Sequence, residues 1–430
     1  MLMPRKLYTA IFCLLLPLYF FRLFWKGLYN KEYLFRWPER LGISKSLPTK
    51  GKSLIWIHAV SVGEVNASMP LIRSLIEKYP NTEILVTTTT PTGSKLLIEL
   101  LGNKIKHQYM PVDIPIFINF FLEKWKPKIL ILLETEIWPN IIFNCNNRGI
   151  LTALVNARLS KKSKENYLKY SSVIRPAIES LDLLLAQFES DKSGFREIVD
   201  KKEINLCGNL KFDQDIPSEL IEISKTVRED WSVDGVKRPV LIAASTHEIE
   251  EEIVLEAFKE VIKQYPSTLL ILVPRHLERF EKVKNIVKNS GLQFASRSKK
   301  TNITNITQVL LGDTIGELNF LYSLADVAFV GGSLIDHGGQ NLLEPSAQSL
   351  PLLSGPSLRN FLDISEQLKQ NEGLKIVNNS RELSDRFIEY IENDQEMERA
   401  GNNAFEVFMK NRGALGNISN HLHLLLKETI

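Results

Sequence analysis

The sequence predicts an α/β protein. It has two doubly wound, Rossmann-like domains facing each other across a cleft, behind an N-terminal membrane anchor helix. Three observations carry this. Near-continuous apolar runs alternate with helix-like stretches, the pattern of parallel strands covered on both faces. The alternation stops at a polar stretch, GNLKFDQDIPSE (208–219), and then restarts. The length of 430 residues with 44% hydrophobic content exceeds one ordinary core and suits two.

The chain opens MLMPRKLYTAIFCLLLPLYFFRLFWKGLYN. The apolar run Leu7 to Phe21 has 15 residues, short of the roughly 20 that cross a bilayer comfortably. A cleaved signal peptide would need a small-residue cleavage site, but Arg22, Phe24 and Trp25 follow. A buried helix of the globular body is another alternative. An uncleaved span or interfacial anchor over residues 1–30 fits best, because Tyr19, Phe20, Phe21, Phe24 and Trp25 form an aromatic belt. Arg22, Lys26, Lys31, Arg36 and Arg40 after the run outnumber Arg5 and Lys6 before it. If the segment spans, that asymmetry leaves the main body in the cytoplasm.

LIWIHAV (54–60), EILVTTTT (83–90), KILILLE (128–134), LTALVNA (151–157) and DLLLAQ (182–187) then read as buried strands of a first domain, 31–206. Helical patterns such as 66–78 and 163–180 separate them. Residues 207–220 read as a linker, being polar and punctuated by Gly208 and Pro217. PVLIAAS (239–245), TLLILVP (268–274), QVLLG (308–312), ADVAFVGGS (325–333) and LPLLSG (350–355) supply the strands of a second domain, 221–430. The Asn/Lys-rich stretch 297–306 reads as a loop, and 380–430 as helices closing that domain.

Composition narrows the function. Cys13, Cys145 and Cys207 are far apart and form no CxxC or Cys/His cluster, so neither a disulfide framework nor a structural zinc site is indicated. Residues 1–210 carry a net +11 and residues 211–430 a net −8. A basic half suits an anionic membrane or acidic substrate. The basic residues are dispersed and no nucleic-acid-binding signature accompanies them, so no nucleic-acid partner is expected. No obligate protein partner is indicated either.

Ligands of open parallel sheets bind at the carboxyl ends of the strands, and the polar residues gather there. In WIHAVSVGEVNAS (56–68) an apolar strand runs into His58, Ser61 and Gly63, and Glu64 follows in the first turn of a helix. Backbone N–H groups at a helix start attract anions. A carboxylate there is a favourable charge on the macrodipole, and with the strand, turn and glycine it also reads as a general base for a hydroxyl nucleophile. In LLETEIWPN (132–140), Glu134 and Glu136 are an acid/base pair or, as favoured here, a structural pair accepting backbone hydrogen bonds. In FVGGSLIDHGGQNLLEP (329–345), glycine pairs flank Ser333 and His337, and Gly338 precedes Asn341 and Glu344, three apart on one helix face. That combination reads as nucleotide binding. Thr246 and His247 end one strand, Arg275 and His276 the next, and Gly316 and Glu317 open another helix. Arg275 is a candidate phosphate clamp.

Other signals are discounted. Asp213-x-Asp215 resembles a metal-binding DxD but falls in the linker, so no metal site is expected. There is no P-loop, GxSxG elbow or GxGxxG after a strand. His421 and His423 lie in an ordinary helix.

HAVSVGE, ETEIWPN, GNLKFD, STHEIEE, PRHLERF, GDTIGEL and GGSLIDHGGQNLLEP, in this order, resemble the motifs of the Kdo transferases of Gram-negative lipopolysaccharide assembly, Kdo being 3-deoxy-D-manno-octulosonic acid. The resemblance covers most of the chain. It implies a GT-B glycosyltransferase with an N-terminal acceptor domain and a C-terminal donor domain. It implies CMP-Kdo as donor, a lipid A precursor (lipid IVA) as acceptor, no cofactor, and attachment to the cytoplasmic face of the inner membrane. By position, Glu64 matches the family's catalytic base, and Arg275, Gly316, Glu317, Asn341 and Glu344 fall where the family holds CMP. Ser333, His337 and Lys211 lie in motifs lining the same cleft. Ile249 stands where the family usually has Gly, and Ile335-Asp336 where a different pair, often with Pro, is expected. Two other readings stay open: a GT-B transferase or epimerase using a UDP-sugar, and a non-catalytic lipid- or nucleotide-binding protein.

Overall fold

The computed structural model describes residues 5–44, 48–49, 51–213 and 218–427. The chain forms two compact units, Met1–Gln214 joined by Arg412–Ile430, and Asp215–Asn411. Each is built on a seven-stranded sheet whose paired strands are all parallel.

The first sheet comprises β1 (Ser53–His58), β2 (Thr82–Thr88), β3 (Lys106–Tyr109), β4 (Ile129–Leu133), β5 (Leu151–Ala157), β6 (Leu183–Ala186) and β7 (Asn205–Leu206), in the order β3-β2-β1-β4-β5-β6-β7. Alternate residues of β1 serve opposite cores. Leu54 and Trp56 join Phe121 and Trp125 on one side, and Ile55 and Ile57 join Val65, Leu71 and Ile72 on the other. That two-sided burial is why the central strands read as unbroken apolar runs. The second sheet comprises β8 (Val240–Thr246), β9 (Leu269–Pro274), β10 (Phe294–Ser296), β11 (Val309–Leu311), β12 (Val327–Val330), β13 (Leu352–Ser354) and β14 (Leu374–Ile376), in the order β10-β11-β9-β8-β12-β13-β14.

The structure differs from the sequence reading at identifiable places. The four strands it adds, β3, β7, β10 and β14, are the four sheet edges. The stretch 163–180 is two helices, Lys161–Lys169 and Ser171–Glu179, broken at Tyr170. The last helix, Ala414–Leu426, does not close the second domain. Its Ala414, Ile418, Leu422 and Leu426 are buried in the first unit's core, against the face that holds Val65 and Ile72. The linker also begins later than residue 207, since Cys207 and Leu210 belong to that same core; 214–217 of it lie outside the described residues. Asp213, set aside as a metal ligand, caps the last helix by accepting the N–H groups of Gly413 (2.8 Å) and Leu415 (2.6 Å).

Among the described residues one helix, Arg5–Tyr29, is long and apolar enough to cross a membrane.

Candidate active site

Since every strand in a sheet runs the same way, all the carboxyl ends of β1 to β7 lie along one edge of the first unit, and the sequence candidates meet there. β1 ends at His58, three residues turn, and helix Val62–Lys78 begins after Ser61 in extended backbone. Ser61 makes no capping bond, and a Cβ on Gly63 would meet nothing closer than the Ser61 hydroxyl at 3.8 Å. The helix N-terminus is therefore open to a ligand. Glu64 turns back so that its Oε2 accepts the Val60 N–H at 2.8 Å.

Burial is the main cause that pushes the Glu64 carboxyl up to about 8; the Val60 bond opposes the rise, Glu136 and Glu134 add to it, and Lys211 opposes it. A carboxyl with that affinity for protons could serve as a general base near neutral pH. Glu134 sits at a positive φ of 54°, a strained conformation for a non-glycine residue, and Lys211 Nζ lies 3.3 Å from its Oε1. Lys211 is aimed there because Asn156 Oδ1 accepts the Leu210 N–H (3.0 Å) while Leu210 and Phe212 bury themselves on either side. Glu136 accepts the Trp138 indole N–H at 2.7 Å, and burial raises it to about 7. The favoured reading of Glu134 and Glu136, a pair satisfied by backbone, is thus not what the structure contains. Their partners are side chains, and both carboxylates act electrostatically on Glu64.

His58 was noticed in the sequence without a role. It is fully buried, which lowers it to about 4 and keeps it neutral. Its Nδ1 lies 3.0 Å from the Thr87 carbonyl, which assigns the proton to Nδ1. Its Nε2 is left as a buried acceptor, without a hydrogen bond and 3.8 Å from Glu136 Oε2.

In the second unit the ends of β8, β9, β11 and β12 carry the other candidates. The organising residue is Glu250, which the motif STHEIEE contained but the sequence reading passed over. It is fully buried, and its carboxylate accepts the N–H groups of His247 (2.9 Å), Gly332 (2.6 Å), Ser333 (2.9 Å) and Leu334 (3.0 Å). It thereby fixes the glycine turn after β12. Gly331 has no substitute there, because a Cβ would come within 2.8 Å of the Ser245 carbonyl oxygen and the Thr246 Cα. Ser333 faces inward. Its hydroxyl donates to the Val330 carbonyl (2.6 Å) and accepts the Gly355 N–H (2.8 Å), so it shapes the turn. Thr246 is also buried, with its hydroxyl 3.3 Å from Glu251.

Three imidazoles meet beside this turn. His247 stacks on His337 with centroids 4.5 Å apart and meets His276 edge-on at 5.3 Å. Burial, followed by His337, His276 and Arg275, lowers His247 to about 4. Glu344 is raised by burial, while Asn341 (3.0 Å to its Oε1) and the Arg275 charge oppose the rise. Arg275 has no ion-pair partner among the described residues and is exposed, which leaves its fork free for a phosphate. Gly338 donates its N–H to Ser357 (3.0 Å). Gly316 and Glu317 come from the loop before helix Leu318–Ser323. Glu317 is held bidentately by Arg297 (2.8 and 3.1 Å), a residue from the 297–306 loop that the sequence did not flag. Arg297 and Glu317 line a cavity of about 850 Å³ with Trp231, Thr314 and Ile315.

The family model for 3-deoxy-D-manno-octulosonic-acid transferase (kdotransferase) matches residues 35–214. The 3-deoxy-D-manno-octulosonic acid transferase of Haemophilus influenzae is 37% identical over the whole of both chains. The chain belongs to the Kdo transferase family. It is therefore a glycosyltransferase. The Rickettsia bellii member is 32% identical over 95% of this chain and 97% of its own. A UDP-GlcNAc 2-epimerase from Neisseria meningitidis bound to UDP-GlcNAc superposes with a TM-score of 0.60 over 86% of this chain and 99% of its own, at 15% identity. That likeness shows the two-sheet GT-B fold alone.

One departure carries backbone strain. Ile249, where the resemblance leads one to expect Gly, sits at φ 78° and ψ −38°, a conformation that a β-branched residue adopts only under strain. The other, Asp336, is occupied by an ion pair with Arg359.

Proposed function

We propose that this chain transfers Kdo from CMP-Kdo to a hydroxyl of a lipid A precursor such as lipid IVA, with inversion, at the cytoplasmic face of the inner membrane. The observation that carries the reading is the Glu64 carboxylate: raised to about 8, seated at an open helix N-terminus, and surrounded by Glu134, Glu136 and Lys211. The sugar nucleotide is the second unit's ligand in this reading. Glu344 and Asn341 accept and donate to ribose hydroxyls, and Arg275 meets the phosphate. Glu64 takes the proton of the acceptor hydroxyl as its oxygen forms the new bond to the anomeric carbon, and CMP leaves from the opposite face with the electron pair of the broken bond. The leaving group carries one phosphate, which Arg275 and helix N–H groups can stabilise, so no resident metal is invoked. Localisation rests on the anchor helix and on the basic excess before residue 211.

The test is transfer from freshly made CMP-Kdo to a tetraacylated, bisphosphorylated precursor, with products resolved by mass and the new linkage read by NMR. Glu64→Gln should abolish transfer while CMP-Kdo still binds. Wild-type-like transfer by that variant would remove the base assignment, retention of configuration would remove the single displacement, and loss of activity in EDTA would remove the metal-free mechanism.

A further inference from the structure

Helix Arg5–Tyr29 has two unlike faces. On one face Leu23 and Gly27 are buried and Tyr8, Phe12, Leu16 and Tyr19 are half-buried, a stripe at helical spacing along the helix. At 1.5 Å per residue this docking runs along about 28 Å of helix. It is polar at its N-terminal end. Tyr8 donates its hydroxyl hydrogen to Asp113 Oδ2 (2.8 Å), and Thr9 accepts from the Asn140 amide (3.0 Å). Asp113 is fully buried and also caps helix Pro139–Asn146 through the N–H groups of Asn140 and Ile141. Further along, Tyr19 accepts from Arg40 (3.0 Å), Phe20 packs on Trp37 (5.2 Å between centroids), and Leu34 lies against Gly27. The opposite face is apolar and exposed: Leu7, Ile11, Leu14, Leu18, Phe21 and Trp25. Exposed Ile116 and Phe120 lie on the helix that follows Asp113, and exposed Phe35 follows the turn that packs on Gly27.

We propose that this helix lies in the plane of the membrane, its outward face in the acyl layer of one leaflet, instead of crossing the bilayer. The inference rests on the membrane location proposed above. A crossing helix docked this way would carry Asp113, Asn140 and Arg40 into hydrocarbon, where polar groups are costly. An in-plane helix keeps them inside the protein and buries its apolar face about 5–10 Å deep, with Arg22 and Lys26 at the anionic headgroups.

The experiment uses the full chain with Cys13→Ser, in sealed vesicles from expressing cells oriented with the catalytic body outward. Cys145 and Cys207 are buried. Arg5→Cys and, separately, Lys201→Cys are challenged with a membrane-impermeant maleimide. Both should label from outside. Arg5→Cys protected until detergent is added, with Lys201→Cys labelled, would overturn the in-plane reading alone. A chain that is recovered folded but not with the vesicles would overturn the membrane location as well.

A separate observation carries a second inference. A continuous chain of hydrogen bonds joins this helix to the base: Tyr19 to Arg40, Arg40 to the Thr89 carbonyl (2.9 Å), the Thr89 N–H to the Val60 carbonyl (3.2 Å), and the Val60 N–H to Glu64 (2.8 Å). Arg40 is 2% exposed, and its guanidinium stacks 4.2 Å from the Tyr109 ring. We infer that Arg40 is a positioning residue that transmits the seating of the helix to Glu64, given that Glu64 is the base. Tyr19→Phe should lower kcat several-fold, and Arg40→Met about 100-fold with partial rescue by Arg40→Lys, the scale of a small misplacement of a reacting group. Donor KM should hold, and the pH midpoint of kcat/KM should move in both Tyr19→Phe and Arg40→Met. An unchanged kcat per folded molecule and an unchanged midpoint would leave Arg40 a merely structural residue. Activity surviving Glu64→Gln would instead remove the base assignment on which the inference rests.

Discussion

Ile249→Gly should stabilise the second unit. The residue precedes helix Glu250–Gln264 at φ 78° and ψ −38°. Holding a side chain in such a sparsely populated region costs about 1–3 kcal/mol, and β-branching places Ile toward the upper end. Glycine removes that cost and adds roughly 0.5–1 kcal/mol of unfolded-state entropy. Little packing is lost, because Ile249 is 59% exposed. The net is about 2 kcal/mol of stabilisation, or roughly 4–8 °C for a unit of this size. The assay is thermal unfolding of the full chain, following the transition of the second unit separately, since two units need not unfold as one. Ile249→Ala is the control: it removes the branch, keeps a Cβ, and should gain less than glycine. A glycine variant that is less stable than wild type would refute the argument, because it would mean that the side chain contributes more than its backbone strain costs.

Two further outcomes follow from the carboxylates. With Glu64 near 8 and active only when ionised, kcat/KM should rise with pH through about 8; Glu136→Gln should move that midpoint down by removing a like charge, and Lys211→Met should move it up by removing a favourable one. A pH–rate profile of the three proteins decides this, and a midpoint near the ordinary carboxylate value in the wild type would contradict it. Glu250→Gln should cost about 2–4 kcal/mol in chemical denaturation and weaken CMP-Kdo binding, because one amide oxygen cannot serve four N–H donors that a carboxylate serves with two oxygens. Undiminished donor affinity, measured calorimetrically, would separate the turn from the donor site.

What the sequence showed and hid has a common physical cause. Central strands are covered on both faces, so β1, β4, β8 and β12 announce themselves as unbroken apolar runs. An edge strand is short and half-solvated and loses that signature, which is why KHQY (106–109) and LKI (374–376) passed as connections. The same logic governs the site. Glu64 was legible because its whole context is local: a strand, a turn, a glycine and a helix start within a dozen residues. Glu250 was not, because its meaning lies in Gly332, Ser333 and Leu334, more than eighty residues away. Arg297 hid for the same reason, since only the fold brings it to Glu317.

The last helix gives the sharpest case, because sequence order itself misleads. Ala414–Leu426 follows the second unit in the chain, yet Ile418, Leu422 and Leu426 are fully buried with Val65, Leu71 and Ile72 of the helix that carries Glu64. Leu422→Ala should therefore cost about 2–5 kcal/mol, the usual range for deleting a buried leucine where the surroundings cannot collapse. The loss should fall on the first unit. Hydrogen exchange on the full chain would show faster exchange in Val62–Lys78, with the strands β8 and β9 unaffected, and, if Glu64 is the base as proposed, transfer would weaken with donor affinity intact. Exchange that quickens instead in Glu250–Gln264 would put the helix on the second unit after all. The outcome bears on catalysis because the N-terminal end of Val62–Lys78 presents Glu64, and the buried face of that helix is what Leu422 helps to hold still.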